Sequence, residues 1–289
     1  MPKSRSWLFV PGDSERKINK AIASDADKVI IDLEDAVASS NRDVARRLVR
    51  ELLSQSEIAD KRLCIRINPL DSNEAHRDLA ALDGALPAAI MLPKIRSDAD
   101  LVDGDQRIRD LERRNNVTED SVDVVALVTE TPSMTATLPT MQPPPARVRA
   151  LTWGGEDLSA ALGASANKDE DGRWLPIYEY ARTQCLLAAK RFGLLAIDTL
   201  FSDFRDTVGL EAHAGAALRD GFDGILAIHP AQLEPIHTAY TPDHETLRWA
   251  QSVIRAFDAS PDAGVVQLNG KMLDQPHLVQ AKKILDRSD

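Results

Sequence analysis

The chemistry-bearing residues of this chain stand where apolar runs stop. Residues 122–132 (VDVVALVTETP) form a β-branched run that ends on Glu130. Residues 150–159 (ALTWGGEDLS) stop at two glycines and then deliver adjacent carboxylates, Glu156 and Asp157. Two neighbouring strands that each end in an acid would set hard oxygen donors side by side, which suggests a metal held between the strand ends. Asp157 or Ser159 could equally cap the next helix, and Glu130 could be a solvated strand end.

Other apolar runs end the same way. Glu34 and Asp35 follow 28–33 (KVIIDL), Arg66 sits between Ile65 and Ile67, and Lys94 follows 88–92. Asp203 comes after 195–200 and His229 after 224–228. Arg66 offers a planar, permanently charged fork that can stabilise an oxyanion. Lys94 reads equally as structural or substrate-binding, His229-Pro230 as a strand-end turn, and Asp35 as a cap or a support for Glu34.

The elements that must position these groups alternate. Strands are expected at 6–10, 28–33, 63–67, 88–92, 122–129, 150–153, 195–200 and 224–228, with helical spacing between most of them. The strands are continuous apolar runs, as parallel strands covered on both faces require. About eight strand-then-helix units predict an α/β protein, a TIM (β/α)8 barrel spanning 1–240. An open doubly wound sheet is the alternative, but no Gly-x-Gly-x-x-Gly follows any strand. Residues 241–289 read as a C-terminal helical and hairpin extension, turning at Asn269-Gly270 and ending in a helix at 276–285. That tail is too small to fold alone and is expected to pack on a neighbouring subunit. In such barrels active sites lie at the C-terminal strand ends, where all the residues above fall.

Composition narrows the partners. The 289 residues carry a formal charge of -10, which argues against nucleic acid, and 43% are apolar, enough for a sizeable core. No apolar run approaches the ~20 residues of a membrane span, and the N-terminus lacks a signal-peptide layout. Cys64 and Cys185 sit in apolar surroundings, suiting two buried thiols in a reducing, cytoplasmic setting.

The ordered segments RSWLFVPGD (5–13), VIIDLEDAV (29–37), RINP (66–69), LPK (92–94), TETP (129–132), GGEDL (154–158), DTLFSDFRDTVGL (198–210), GFDGILAIHPAQ (221–232) and NGKMLDQP (269–276) span almost the whole chain. On them the chain resembles the citrate lyase β-subunit-like proteins of the HpcH/HpaI aldolase and malyl-CoA lyase superfamily. The resemblance implies a TIM barrel, trimeric or hexameric, with one Mg2+ (or Mn2+) per site, acting on an acyl-CoA thioester and a small 2-oxo acid. It implies Glu130 and Asp157 as metal ligands, Arg66 as the oxyanion-stabilising and substrate-binding arginine, and Glu34 with Asp35 as the carboxylate support. Asp274 matches an acid/base aspartate that reaches a neighbour's site. Arg5, Arg16, Lys17 and Lys20 are the candidate cations for CoA, and Pro132 is expected to touch substrate. The activity implied is reversible carbon–carbon cleavage of malyl-, methylmalyl- or citramalyl-CoA to an acyl-CoA plus glyoxylate or pyruvate. Alternatives are a citrate lyase β-subunit acting on a carrier-bound citryl group, a malyl-CoA thioesterase or malate-synthase-like enzyme, and a non-catalytic CoA-ester sensor. The chain departs from many relatives at Ile95-Arg96 and at Pro132-Ser133-Met134, and Met134 is expected to narrow the oxo-acid pocket.

Overall fold

The computed structural model describes residues 4–55, 63–261 and 263–287. Eight parallel strands close in sequence order into a barrel: β1 (Ser6–Pro11), β2 (Lys28–Asp32), β3 (Leu63–Arg66), β4 (Ala89–Leu92), β5 (Asp123–Leu127), β6 (Val148–Thr152), β7 (Leu195–Asp198) and β8 (Gly224–Ala227). β1 pairs with both β2 and β8, which closes the cylinder. The helices between strands are α1 (Glu15–Ile22), α2 (Arg42–Leu53), α3 (Asn73–Ala81), α4 (Asp98–Arg114), α5 (Pro132–Thr137), α6 (Gly155–Leu162), α7 (Pro176–Arg191) and α8 (Thr207–Asp220). α9 (Leu233–Tyr240) follows β8. This is the TIM barrel expected from the alternation.

Side chains alternate across each strand, and the alternation sorts the apolar residues into two layers. Trp7, Ile30, Cys64, Met91, Val125, Ala150, Ile197 and Leu226 fill the barrel interior. Leu8, Val29, Ile31, Ile65, Ile90, Val124 and Leu151 face outward and meet helix residues such as Ile18, Val49, Leu79 and Ile108. Two residues beyond Ile30, Cys64 and Ala150 on the same inward face come Asp32, Arg66 and Thr152. The top layer of the interior is therefore polar, and it lies at the C-terminal mouth.

α6 is a helix that apolar periodicity does not reveal. It begins directly after Gly154, so Glu156 and Asp157 occupy its first turn instead of extending a strand. Acids in a first turn are favoured by the helix dipole. α7 follows the loop from Gly163 and is entered through Pro176 at its first position, where the missing N–H costs nothing.

After Thr241-Pro242-Asp243 the chain forms α10 (His244–Asp258), an antiparallel hairpin of β9 (Val265–Leu268) and β10 (Lys271–Asp274), and α11 (Gln275–Asp286). Asn269 (φ 51°) and Gly270 (φ 77°) both adopt the left-handed conformation at the predicted hairpin turn. This arm has its own apolar cluster, built on Ala250, Val253, Phe257, Val266, Leu273, Ala281 and Ile284. Both cysteines are buried and free, and burial pushes both thiols up. Among the described residues no helix is long and apolar enough to cross a membrane.

Candidate functional site

Asp32 and Arg66 are register partners at the ends of β2 and β3, and both point inward. Their side chains form a two-pronged pair: Arg66 Nε donates to Asp32 Oδ1 at 2.7 Å and Nη2 to Oδ2 at 2.6 Å. The guanidinium also lies over the Phe9 ring, 4.8 Å from its centroid. Asp32 is fully buried and accepts the backbone N–H groups of Glu34 and Ala36, each at 2.9 Å. One carboxylate thus fixes both the arginine fork and the turn that carries Glu34 and Asp35.

Glu34 is 2% exposed. Its oxygens contact Arg66 Nη1 at 3.2 Å and Lys94 Nζ at 2.9 Å. Burial raises its carboxyl to about 7, with the two cations opposing. Lys94 sits in the left-handed region at φ 52°, which costs a non-glycine residue energy and is held only by surrounding contacts. That conformation lets its backbone N–H donate to Glu130 Oε2 at 2.6 Å. Its ammonium reaches Asp35 at 3.1 Å and Asp157 Oδ1 at 3.2 Å. Glu34, Asp35 and Asp157, one of them from the far side of the mouth, therefore share one lysine.

Glu130 is buried beyond the end of β5, and Asp157 stands a third exposed in the first turn of the adjacent α6. Burial, then the negative charges of Asp157 and Glu34, push the Glu130 carboxyl well above the usual range. A buried acid facing two further negative charges calls for a cation. A Cβ at Gly154 would lie 3.3 Å from Glu130 Cγ and 3.4 Å from Oε1, so the glycine makes room for that carboxylate. A Cβ at Gly155 would strike the Trp174 ring at 2.7 Å. Trp153 Nε1 donates to buried Asp198 at 2.6 Å, and Arg182 Nη2 donates to the same carboxylate at 2.7 Å, tying the turn to β7 and α7.

The donor set fits Mg2+. It offers two hard carboxylates and no sulfur or imidazole, and Mg2+ usually takes one or two protein carboxylates, keeping its other positions for water and substrate. Among the described residues no group of three or more His, Cys, Asp or Glu side chains forms a closed cage. The buried Thr152 hydroxyl on the inward face of β6 has no hydrogen-bond partner, which leaves a polar atom for a bound molecule.

A family model described as HpcH/HpaI aldolase/citrate lyase matches residues 5–230. The chain belongs to this family. It is 34% identical to a citrate lyase subunit beta-like protein of Mycobacterium tuberculosis, over 98% of this chain and 94% of that one. It is 33% identical to the human mitochondrial citramalyl-CoA lyase, over 96% of this chain and 83% of the relative. Among solved structures, M. tuberculosis CitE in complex with magnesium, acetoacetate and coenzyme A matches with a TM-score of 0.83 and 35% identity. The match covers 99% of this chain and 98% of that one.

In this member of the HpcH/HpaI aldolase/citrate lyase family, the barrel brings together Glu34, Asp35, Arg66, Lys94, Glu130 and Asp157. Arg16, Lys17 and Lys20 lie exposed on α1, which buries Ile18 and Ala21 on its other side. Arg5 is a correction: it precedes β1, at the opposite end of the barrel, and forms a two-pronged pair with Asp27. Met134 is another. It is fully buried in the strand–helix layer, so it packs the outer core and does not narrow the mouth. Asp203 is not a strand end either; β7 stops at Asp198, and Asp203 accepts the N–H of Arg205 in an exposed turn. His229 accepts the N–H of Ala231 and stacks on Phe204, the turn role expected of it. Pro132 stands exposed at the start of α5 behind its cap, Thr131. Asp274 caps α11 and pairs with His277 in the arm; among the described residues it pairs with neither Arg66 nor Lys94 at the mouth.

Sequence reading passed over Asp32, Asp198 and Arg182. The signal for Asp32 and Asp198 was present: an acid near the end of an otherwise apolar run, in KVIID and LAID.

Proposed function

We propose that this chain is a Mg2+-dependent carbon–carbon lyase acting on a 3-hydroxyacyl-CoA such as malyl-, methylmalyl- or citramalyl-CoA. The products are an acyl-CoA and glyoxylate or pyruvate. The observation that carries this reading is the convergence of Glu130 and Asp157 beside the Arg66 fork at one barrel mouth. The relatives support it: one is a citramalyl-CoA lyase, and the M. tuberculosis CitE structure contains magnesium, acetoacetate and coenzyme A.

Glu130 and Asp157 would hold the metal, which would supply Lewis-acid polarisation of the 2-oxo-acid carbonyl. Arg66, locked by Asp32, presents its guanidinium to the oxyanion that develops as the bond breaks. Glu34 holds Arg66 and Lys94 in place from below, and both are permanent cations at neutral pH because surrounding carboxylates raise their proton affinity. Arg16 and Lys20, on the rim beside β1, suit the phosphates of CoA. Pro132 and Asp35 border the mouth where the acyl group enters. Asp274, on the arm of a neighbouring copy in a trimer or hexamer, supplies the proton to the enolate carbon.

The test is turnover by purified protein with Mg2+ on all three CoA esters, following 2-oxo acid and free thiol separately. The reading expects oxo acid without thiol, abolished by chelator and restored by Mg2+. No turnover on any ester refutes it, and thiol release without oxo acid assigns hydrolysis instead.

A further inference from the structure

The arm gives Asp274 a partner, His277, that neither the barrel site nor the matched motifs account for. Asp274 and His277 lie three residues apart at the start of α11, with His277 Nδ1 2.6 Å from Asp274 Oδ1. The backbone N–H of Asp274 also points to the same nitrogen, at 3.2 Å. An N···O separation of 2.6 Å between a ring nitrogen and a carboxylate oxygen needs a proton between them. A proton therefore lies between the two atoms, bonded to the ring nitrogen or to the carboxyl oxygen.

Both side chains remain open, at 45% and 40% exposure, while the backbone beneath them is anchored by Leu273, Ala281 and Ile284 in the arm's core. β10 and α11 therefore present the pair on a rigid corner. A helix cap alone does not need a histidine. The third helical position of a capping box is ordinarily Glu or Gln, which return the backbone hydrogen bond without exchanging protons at neutral pH. Histidine adds a proton-transfer partner whose second nitrogen can meet water.

We propose that His277 is a positioning residue for Asp274, orienting its carboxyl and resupplying the proton that Asp274 delivers. The inference rests on Asp274 being the acid of the proposed lyase. In the cleavage direction the enolate carbon forms a C–H bond with the proton of the Asp274 carboxyl, leaving a carboxylate. The Nδ1–H bond of the ring then breaks, its proton passing to that carboxylate while Nε2 takes a proton from water. That proton replaces the one the substrate hydroxyl released on cleavage, and no electrons leave or enter. In the condensation direction the same transfers run backwards.

The experiment compares Asp274→Asn, His277→Gln and His277→Ala in the full-length protein, using the CoA ester that turns over fastest. Melting temperature, KM and kcat are read for each. Asp274→Asn should lose on the order of 10² or more in kcat. His277→Gln, which keeps the cap, should leave melting temperature and KM unchanged and lower kcat by about tenfold or more. Added imidazole should restore part of the kcat of His277→Ala, which a purely structural histidine would not allow. If Asp274→Asn is inactive while His277→Gln matches the wild type, the inference fails and the lyase reading stands. The inference also fails if imidazole restores nothing, or if the His277→Gln loss tracks a lower melting temperature. If Asp274→Asn keeps wild-type kcat, the Asp274 reading itself is refuted, and this inference with it.

Discussion

Replacing Asp32 by Asn tests whether the arginine at the barrel mouth is set in place by that carboxylate. Asp32 is fully buried, and Arg66 is mostly so. The substitution removes the negative charge between two short hydrogen bonds and turns an amide NH2 toward donors that now lack an acceptor. Breaking one side of a buried ion pair costs about 3–5 kcal/mol. The Glu34 Oε2 contact to Arg66 Nη1 at 3.2 Å gives the arginine a second anion, so the lower end of that range applies. Released from its fork, Arg66 no longer meets the oxyanion in a fixed orientation, and kcat should fall on the order of 10²–10³. Urea unfolding of wild type, Asp32→Asn, Arg66→Met and the double variant closes a thermodynamic cycle. The pair should couple by about 2–3 kcal/mol. A coupling near zero, or an Asp32→Asn enzyme with full kcat, would refute the idea that this pair organises the mouth.

Three further outcomes follow from the same geometry. Gly154→Ala pushes a methyl group against Glu130, and should weaken Mg2+ binding about tenfold by calorimetry; unchanged affinity would mean that the glycine serves only the turn. Glu34 has a proton affinity raised from 4.5 to about 7 in the folded chain, so between those values the folded state holds more proton than the unfolded one. Its contribution to metal-free stability is therefore full below about pH 4.5 and is lost as pH rises toward 7. The urea midpoint of Glu34→Gln should decline less over that window than that of wild type, and parallel profiles would contradict the shift. Gly270→Ala places a side chain at φ 77° and should cost the arm about 1 kcal/mol, read as faster amide exchange in 265–274. Unaltered exchange there would show that the hairpin turn bears no strain.

The barrel was legible because buried parallel strands are unbroken apolar runs, and KVIID, DVVAL and GILA are three of them. Glu130, Asp157 and Arg66 were legible for the complementary reason: charge stands out where such a run ends. Asp32 was not, because it is the last residue of its strand and reads as part of the run; only the two-residue step from Ile30 reveals that it faces inward. The sequence alone does not decide the role of Lys94, because that role depends on a positive φ, which sequence does not signal for a lysine. α6 was hidden by its start at Gly154-Gly155 and its eight-residue length. Met134 misled because its face on α5 is set by Thr131 and Pro132 at the helix start, which turn it into the outer core.

The central claim is that Glu130 and Asp157 together grip one divalent cation. Calorimetric titration of Mg2+, with Mn2+ electron paramagnetic resonance as a second readout, addresses it directly on wild type, Glu130→Gln and Asp157→Asn. One site per chain in the wild type, lost or weakened at least about tenfold in each variant, is the predicted result. Binding of equal strength in all three proteins would contradict it.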